Sequence, residues 1–291
     1  MEQKKCAPSK KFSEGSCFTY DILQKIAKKY NEKFNGNIDL KLHKSKLVEI
    51  LQTKLNTSKC NNQTCWLKTD LLKEFKNIDE ELYDEIFNNT FRPVGPKEKF
   101  GWLSNVNINE IIEQYHDKYN NFLYLGAVPY DFEKIDLGFQ DINFDELYKD
   151  GKHKLGMVIN LDTHDKSGSH WVALFINLDK YQLYYFDSFG IKPGKRIREF
   201  NTKIFKYFKK RKGLPTKLTI GGSNKNHKEI LKHFDIRYNQ IQHQTQNSEC
   251  GVYSTNFILR LAKGESFDEI TQNITKDPEM NECRSTYFRN V

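Results

Sequence analysis

His170-Trp-Val-Ala-Leu-Phe-Ile-Asn-Leu-Asp-Lys-Tyr-Gln-Leu-Tyr-Tyr-Phe-Asp-Ser188 contains two short runs rich in aromatic and branched residues. The runs are Trp171–Ile176 and Gln182–Phe186, split by Asn177-Leu-Asp-Lys-Tyr181. Apolar runs of this length around a short polar break predict an antiparallel hairpin. In such a hairpin, the residue that opens the first strand and the residue that ends the second lie at the same end. Those residues are His170 and Asp187. A base and a carboxylate are therefore expected side by side at the rim of a sheet, where loops build sites. Alone, Asp187 reads as a turn residue, and with eight histidines in the chain a single one is weak evidence. The pairing is what singles them out.

Outward from the hairpin, Met157-Val-Ile-Asn-Leu161, Leu218-Thr-Ile220 and Ile236 to Ile241 predict further strands. A basic amphipathic helix places Ile197, Phe200, Ile204, Phe205 and Phe208 on one face. A helix is expected from near Asn107, and from Gly251 onward Tyr253, Phe257 and Leu261 recur at helical spacing. Strands in the middle with helices on both sides make an α+β domain. The first ninety residues differ: Tyr20 to Ala27, Leu40 to Leu51 and Leu71 to Phe87 all place apolar residues at helical intervals. The prolines and glycine of Phe91-Arg-Pro-Val-Gly-Pro96 end that region. The expected organisation is a helical N-terminal arm, residues 1–92, and a larger domain, residues 93–291.

With 291 residues, 37% hydrophobic and 13% aromatic, the chain can bury a core, which excludes wholesale disorder. No run of about 18 apolar residues is present, so no membrane span is expected. The start lacks the apolar stretch of a secretory signal, which points to a soluble chain in a reducing compartment. The net charge of +8 favours acidic partners, nucleic acid included. The lysines, however, are spread along the chain, and its richness in Lys, Asn, Ile, Phe and Tyr matches A/T-rich codons. Charge decides little. Six cysteines in a chain of this length do not imply a disulfide framework. Cys60 and Cys65 loosely fit half a zinc site, but without a second pair, packing or redox-sensitive cysteines are the better expectation. No metal is predicted.

Cys250 lies in Gln246-Asn-Ser-Glu-Cys-Gly-Val-Tyr-Ser254, where a turn meets a predicted helix. The positive end of a helix dipole favours a thiolate, and Gly251 lets substrate and backbone approach. The bland alternative is a small buried residue starting a core helix. Thiol, base and orienting carboxylate are together the parts of a cysteine nucleophile.

The order His170-Trp171, Asp187-Ser188, Gln244-x5-Cys250-Gly251 resembles the ubiquitin-like-protein (SUMO) deconjugating cysteine proteases and their viral branch, the polyprotein-processing proteases of large DNA viruses. The resemblance implies a papain-like, SUMO-protease-like core: a mixed central sheet flanked by helices. It assigns catalysis to His170, Asp187 and Cys250, with the Gln244 side chain donating to the oxyanion. Gln246 is a nearby competitor, but the spacing favours Gln244. Trp102-Leu-Ser-Asn105 is similar to the family's segment that forms a narrow channel for a diglycine tail. Trp102, Asn105 and Trp171 are therefore the implied substrate-binding residues. Cys60-Asn-Asn-Gln-Thr-Cys65, Phe91–Pro96, Leu103–Glu110 and Asp277-Pro-Glu-Met280 resemble the viral branch, where a relative has asparagine at the position of Asp187.

The implied function is a cysteine endopeptidase that needs no cofactor. It would cut after Gly-Gly in viral structural polyproteins during particle maturation, in the host cytoplasm (the viral factory) and in the virion. The arm would engage substrate, scaffold or DNA. Removal of ubiquitin or SUMO from host conjugates is the alternative within the same chemistry. A basic, non-catalytic packaging protein with a degenerate protease fold is the third, and the intact Cys250, His170, Asp187 and Gln244 argue against it. The chain's own Gly221-Gly222 reads as a turn rather than a self-cleavage site.

Overall fold

The hairpin forms, and it lies at the centre of the larger of two units. The computed structural model describes residues 14–57, 63–66, 93–116, 118–215 and 232–288, and the chain divides into the compact units Met1–Arg92 and Pro93–Val291. The expected helix at Leu71–Phe87, the strand at Leu218–Ile220, Gly221-Gly222 and the side chains of Cys60 and Cys65 lie outside the described residues.

In the first unit, α1 (Tyr20–Phe34) is capped by the Thr19 hydroxyl, which accepts from the Ile22 amide. It packs Ile22, Leu23, Ile26 and Ala27 with Leu47, Val48, Leu51 and Leu55 of α2 (Lys44–Leu55). Trp66 of the short α3 (Gln63–Trp66) joins this cluster and donates its indole N–H to Asn56 Oδ1 at 2.8 Å. α2 starts later than the Leu40 periodicity suggests, because the Leu40 and Leu42 carbonyls are taken by Gln24 and Tyr20. Cys17 is disulfide-bonded.

The second unit runs α4 (Asn105–Glu113), β1 (Phe122–Val128), α5 (Phe144–Lys149), β2 (Lys154–Asn160), β3 (Trp171–Asn177), β4 (Gln182–Phe186), α6 (Lys195–Arg211), β5 (Asp235–Tyr238), α7 (Cys250–Lys263), α8 (Phe267–Gln272) and α9 (Asp277–Tyr287). α4 starts two residues before Asn107 because Ser104 and Asn107 form a reciprocal capping box. The five strands lie in chain order: β1 and β2 are parallel, β2–β3 and β3–β4 antiparallel, and β4 and β5 parallel. This is a mixed sheet flanked by helices, an α+β fold.

Every residue of β3 is buried, so helices cover both sides of the strand. Trp171, Ala173 and Phe175 join the cluster of α4 and α7, whereas Val172, Leu174 and Ile176 join that of α6. That is the period-2 alternation of a central strand. α6 seats Ile197, Phe200, Ile204, Phe205 and Phe208 on its side, the face read from the sequence. β1 was not expected, since Gly126 interrupts its pattern at φ +109° where the register with β2 shifts. β5 ends at Tyr238, short of Ile241, because the Asn239 side chain turns inward to the end of β4.

α7 packs tightly on Gly156 of β2, where an added Cβ would lie 2.8 Å from Ile258 Cγ2 and 2.9 Å from Phe122. Gly156→Ala is therefore expected to overpack this contact and cost about 1–3 kcal/mol. The denaturant midpoint should fall with an unchanged slope; an unchanged midpoint would mean that α7 is free to shift.

Candidate active site

The register of the central hairpin pairs Ala173 with Phe186. The residues just beyond, His170 and Asp187, consequently emerge at one end. His170 Nε2 meets Asp187 Oδ1 at 2.8 Å. The Asp187 carboxylate is 1% exposed and its Oδ1 also accepts from the Phe189 amide at 2.9 Å. That contact, with the Gly190 amide donating to the Asp187 carbonyl, closes the turn after β4. Gly190 sits at φ +73°, with backbone atoms of Gln240 and Ile241 3.1–3.2 Å from where a Cβ would stand; both facts require glycine there. Asp187 Oδ2 is buried and has no hydrogen-bond partner among the described residues.

Burial works to lower the pKa of His170. The hydrogen bonds to Asp187 and Cys250 and the charges of both partners outweigh it and raise the value to about 9. The ring is thus held as imidazolium through neutral pH, with carboxylate on one side and sulfur on the other. Two further histidines meet carboxylates: His153 with Asp179 and His164 with Asp131. His243 is buried against the Thr271 carbonyl with its pKa lowered by burial. Only His170, among the described histidines, combines a buried carboxylate with a cysteine.

Cys250 is the first residue of α7 and is 3% exposed. Leu103 packs directly on this helix start: an added Cβ on Gly251 would stand 3.0 Å from Leu103 Cβ. The carbonyl of Leu103 accepts the indole N–H of Trp171 at 2.8 Å. Trp171 is thus a buried brace for the Trp102–Asn105 segment as well as a wall. Trp102, half exposed, lines with Trp171, Leu103, Ser104 and Asn105 one cleft of about 580 Å³. All three sequence-predicted binding residues fall on that cleft.

Gln244 is 1% exposed. Its Oε1 accepts from the Ser188 hydroxyl at 2.6 Å and its Nε2 donates to the Gln246 carbonyl at 2.6 Å. The Ser188 carbonyl in turn accepts from the Gln244 amide. One hydrogen of the side-chain NH₂ is left for another acceptor. Gln246 is exposed and offers no such fixed donor.

Three residues here escaped the sequence analysis. Phe189 packs against the His170 ring with centroids 4.9 Å apart and the planes tilted by 31°. Ser188 orients Gln244. Asn239 is buried, accepts from the Asp187 amide at 2.8 Å and donates to the Asp187 carbonyl at 2.7 Å. Only Ser188 had a visible signal, its place beside Asp187. Among the described residues, no three His, Cys, Asp or Glu come together as a metal site requires.

Comparison with known proteins adds to this geometry. Residues 151–290 match a family model described as the Ulp1 protease family, C-terminal catalytic domain. Protein R355 of Acanthamoeba polyphaga mimivirus, described as a thiol protease, is 32% identical over 98% of this chain and 93% of its own. A protein of African swine fever virus (isolate Pig/Kenya/KEN-50/1950), described as a SUMO-1 cysteine protease, is 25% identical over 84% of this chain and 88% of its own. The crystal structure of the African swine fever virus protease superposes with a TM-score of 0.54 at 23% identity, covering 84% of this chain and 89% of that one, which speaks for the fold.

Because the folded-state pKa of His170 lies above the ordinary 6.5, its contribution to stability is complete below pH 6.5 and is lost as pH rises through about 9. An NMR titration of the imidazole should place its midpoint near 9 and lower in Asp187→Asn; a midpoint near 6.5 in the parent would contradict the charged arrangement.

Proposed function

As this chain belongs to the Ulp1 family of cysteine proteases, in its viral branch, we propose that it is an endopeptidase that cuts after Gly-Gly in viral structural polyproteins. The observation that carries the assignment of roles is the His170 ring, hydrogen-bonded to buried Asp187 and with its pKa raised by that partner and by Cys250. Family membership makes the chain a protease, so the non-catalytic packaging reading falls.

In this mechanism the Cys250 thiolate attacks the carbonyl carbon of the second glycine. Charge collects on the carbonyl oxygen, and the free N–H of Gln244 and backbone N–H groups at the start of α7 stabilise it. The C–N bond breaks as His170 passes its proton to the leaving amine. Neutral His170 then takes a proton from water, which hydrolyses the thioester and restores the ion pair. Asp187 stays ionised and holds the ring with its other nitrogen toward sulfur. Trp102 and Trp171 both line the cleft, and aromatic walls there support a preference for glycine.

Cleavage would occur in the host cytoplasm at the viral factory and in the virion, with the arm engaging scaffold or DNA. A second reading keeps the same chemistry on host SUMO or ubiquitin conjugates; the description of the African swine fever virus relative as a SUMO-1 cysteine protease favours it.

Peptides carrying Gly-Gly-x junctions should be cut after the second glycine, and replacing that glycine by alanine should abolish cleavage. SUMO and ubiquitin fused to a fluorogenic leaving group serve as competitors; faster turnover of these would favour the second reading. Gln244→Ala should cost about 2.7–4 kcal/mol in the barrier, the loss of one oxyanion donor, and Gln246→Ala far less. The reverse order would move the oxyanion site. Asp187→Asn should slow turnover about tenfold to a hundredfold, because the amide still accepts from the imidazole but carries no charge.

A further inference from the structure

The C-terminal helix α9 turns three polar residues toward the core. Asp277, Asn281 and Arg284 are spaced i, i+4, i+7 and so share one face. Asp277 is 2% exposed and Arg284 0%. Each holds a different point of the short loop between Gln244 and Cys250. Asp277 Oδ2 accepts from the Thr245 amide at 2.8 Å, the Thr245 hydroxyl at 2.5 Å and the Gln246 amide at 2.9 Å. Asn281 donates to Glu249 Oε1 at 2.9 Å. Arg284 Nη2 donates to the Ser248 carbonyl at 2.8 Å. Its Nη1 donates at 2.8 Å to the carbonyl of Gly101, next to Trp102 on the cleft wall. Its Nε is fixed on Asn281 Oδ1 at 2.9 Å.

This loop belongs to no strand or helix, so its backbone groups need partners from elsewhere. One helix face supplies several of them. Gln246 is the critical link: its backbone amide is bound by Asp277, and its backbone carbonyl takes the Nε2 of Gln244. A shift at Asp277 is therefore transmitted through the backbone of one residue to the direction of the Gln244 side chain. Burial would raise the Asp277 carboxyl pKa, but the hydrogen bonds from Thr245, Tyr253 and Gln246 pull it below the usual range. The contacts it makes are accordingly charge-assisted and strong.

We propose that this face of α9 is the template that sets the loop from Gln244 to Cys250, with Asp277 and Arg284 as positioning residues for acyl transfer. The proposal rests on the roles given above to Cys250 and Gln244. A misplacement of about 1 Å at a reacting group can cost about a hundredfold in rate.

The test compares cleavage of a Gly-Gly peptide with alkylation of Cys250 by iodoacetamide, a reaction that forms no oxyanion. Asp277→Ala should lower kcat about tenfold to a hundredfold, with KM and the alkylation rate within about threefold of the parent. Asp277→Asn can turn its carbonyl oxygen to Thr245 and Gln246 and should recover most of the loss. Arg284→Lys keeps the charge but cannot bridge Gly101 and Ser248, and should behave like Asp277→Ala; it decides the matter if the alanine variant does not fold. Unchanged kcat in folded variants, or kcat and alkylation falling together, would overturn the proposal. Should the parent cleave no Gly-Gly peptide, the proposed function is at fault. The positioning role is then read from the Gln244 side-chain amide resonances, which should move in Asp277→Ala and not in Asp277→Asn; resonances that stay in place would overturn it.

Discussion

The contact on which the site depends is the antiparallel pairing of β3 with β4. A pairing slipped by one residue would turn every side chain of a strand to the opposite layer. Here, with helices on both sides, that would exchange the Trp171–Ala173–Phe175 row with the Val172–Leu174–Ile176 row. Two differently shaped clusters therefore specify a single register, and that register brings His170 to Asp187. The geometry of the candidate site is a by-product of core packing. The same hairpin also supplies Trp171, whose indole ties down the Leu103 segment beside Cys250.

The electrostatics have a cost. Asp187 is a buried carboxylate with one oxygen satisfied twice and the other not at all among the described residues. An unpaired buried acceptor normally weakens a fold. The imidazolium beside it compensates, and Asn239 clamps the backbone on both sides of the residue so that the carboxylate cannot rotate away. An arrangement that is half-satisfied yet rigid is what a site needs when its charge must remain available to a neighbouring ring.

The hairpin was legible because its two runs are rich in aromatic and branched residues and the break between them is short. Cys250 was legible because its glycine and the helical spacing after it mark a helix start. β1 was hidden by Gly126, whose positive φ belongs to a bulge that no alternation reveals. Asn239 and Arg284 were hidden for another reason. Asn239 acts on Asp187, 52 residues away, and Arg284 on Gly101, 183 residues away. A single polar residue in a sequence carries no sign of a partner at that distance. The i, i+4, i+7 pattern of Asp277, Asn281 and Arg284 was visible, but it also fits a solvated helix face.

The central claim is that His170 and Asp187 make Cys250 the reactive thiol. Among the described residues the other free cysteine is Cys283, half-buried on α9, with its pKa pushed up by burial and hence poorly nucleophilic. A Gly-Gly peptide ending in an electrophile, reacted with the full-length protein and mapped by mass spectrometry, tests the claim directly. The account predicts a single adduct on Cys250 that disappears in His170→Ala. An adduct on Cys283, or labelling of Cys250 that persists undiminished without His170, would contradict it.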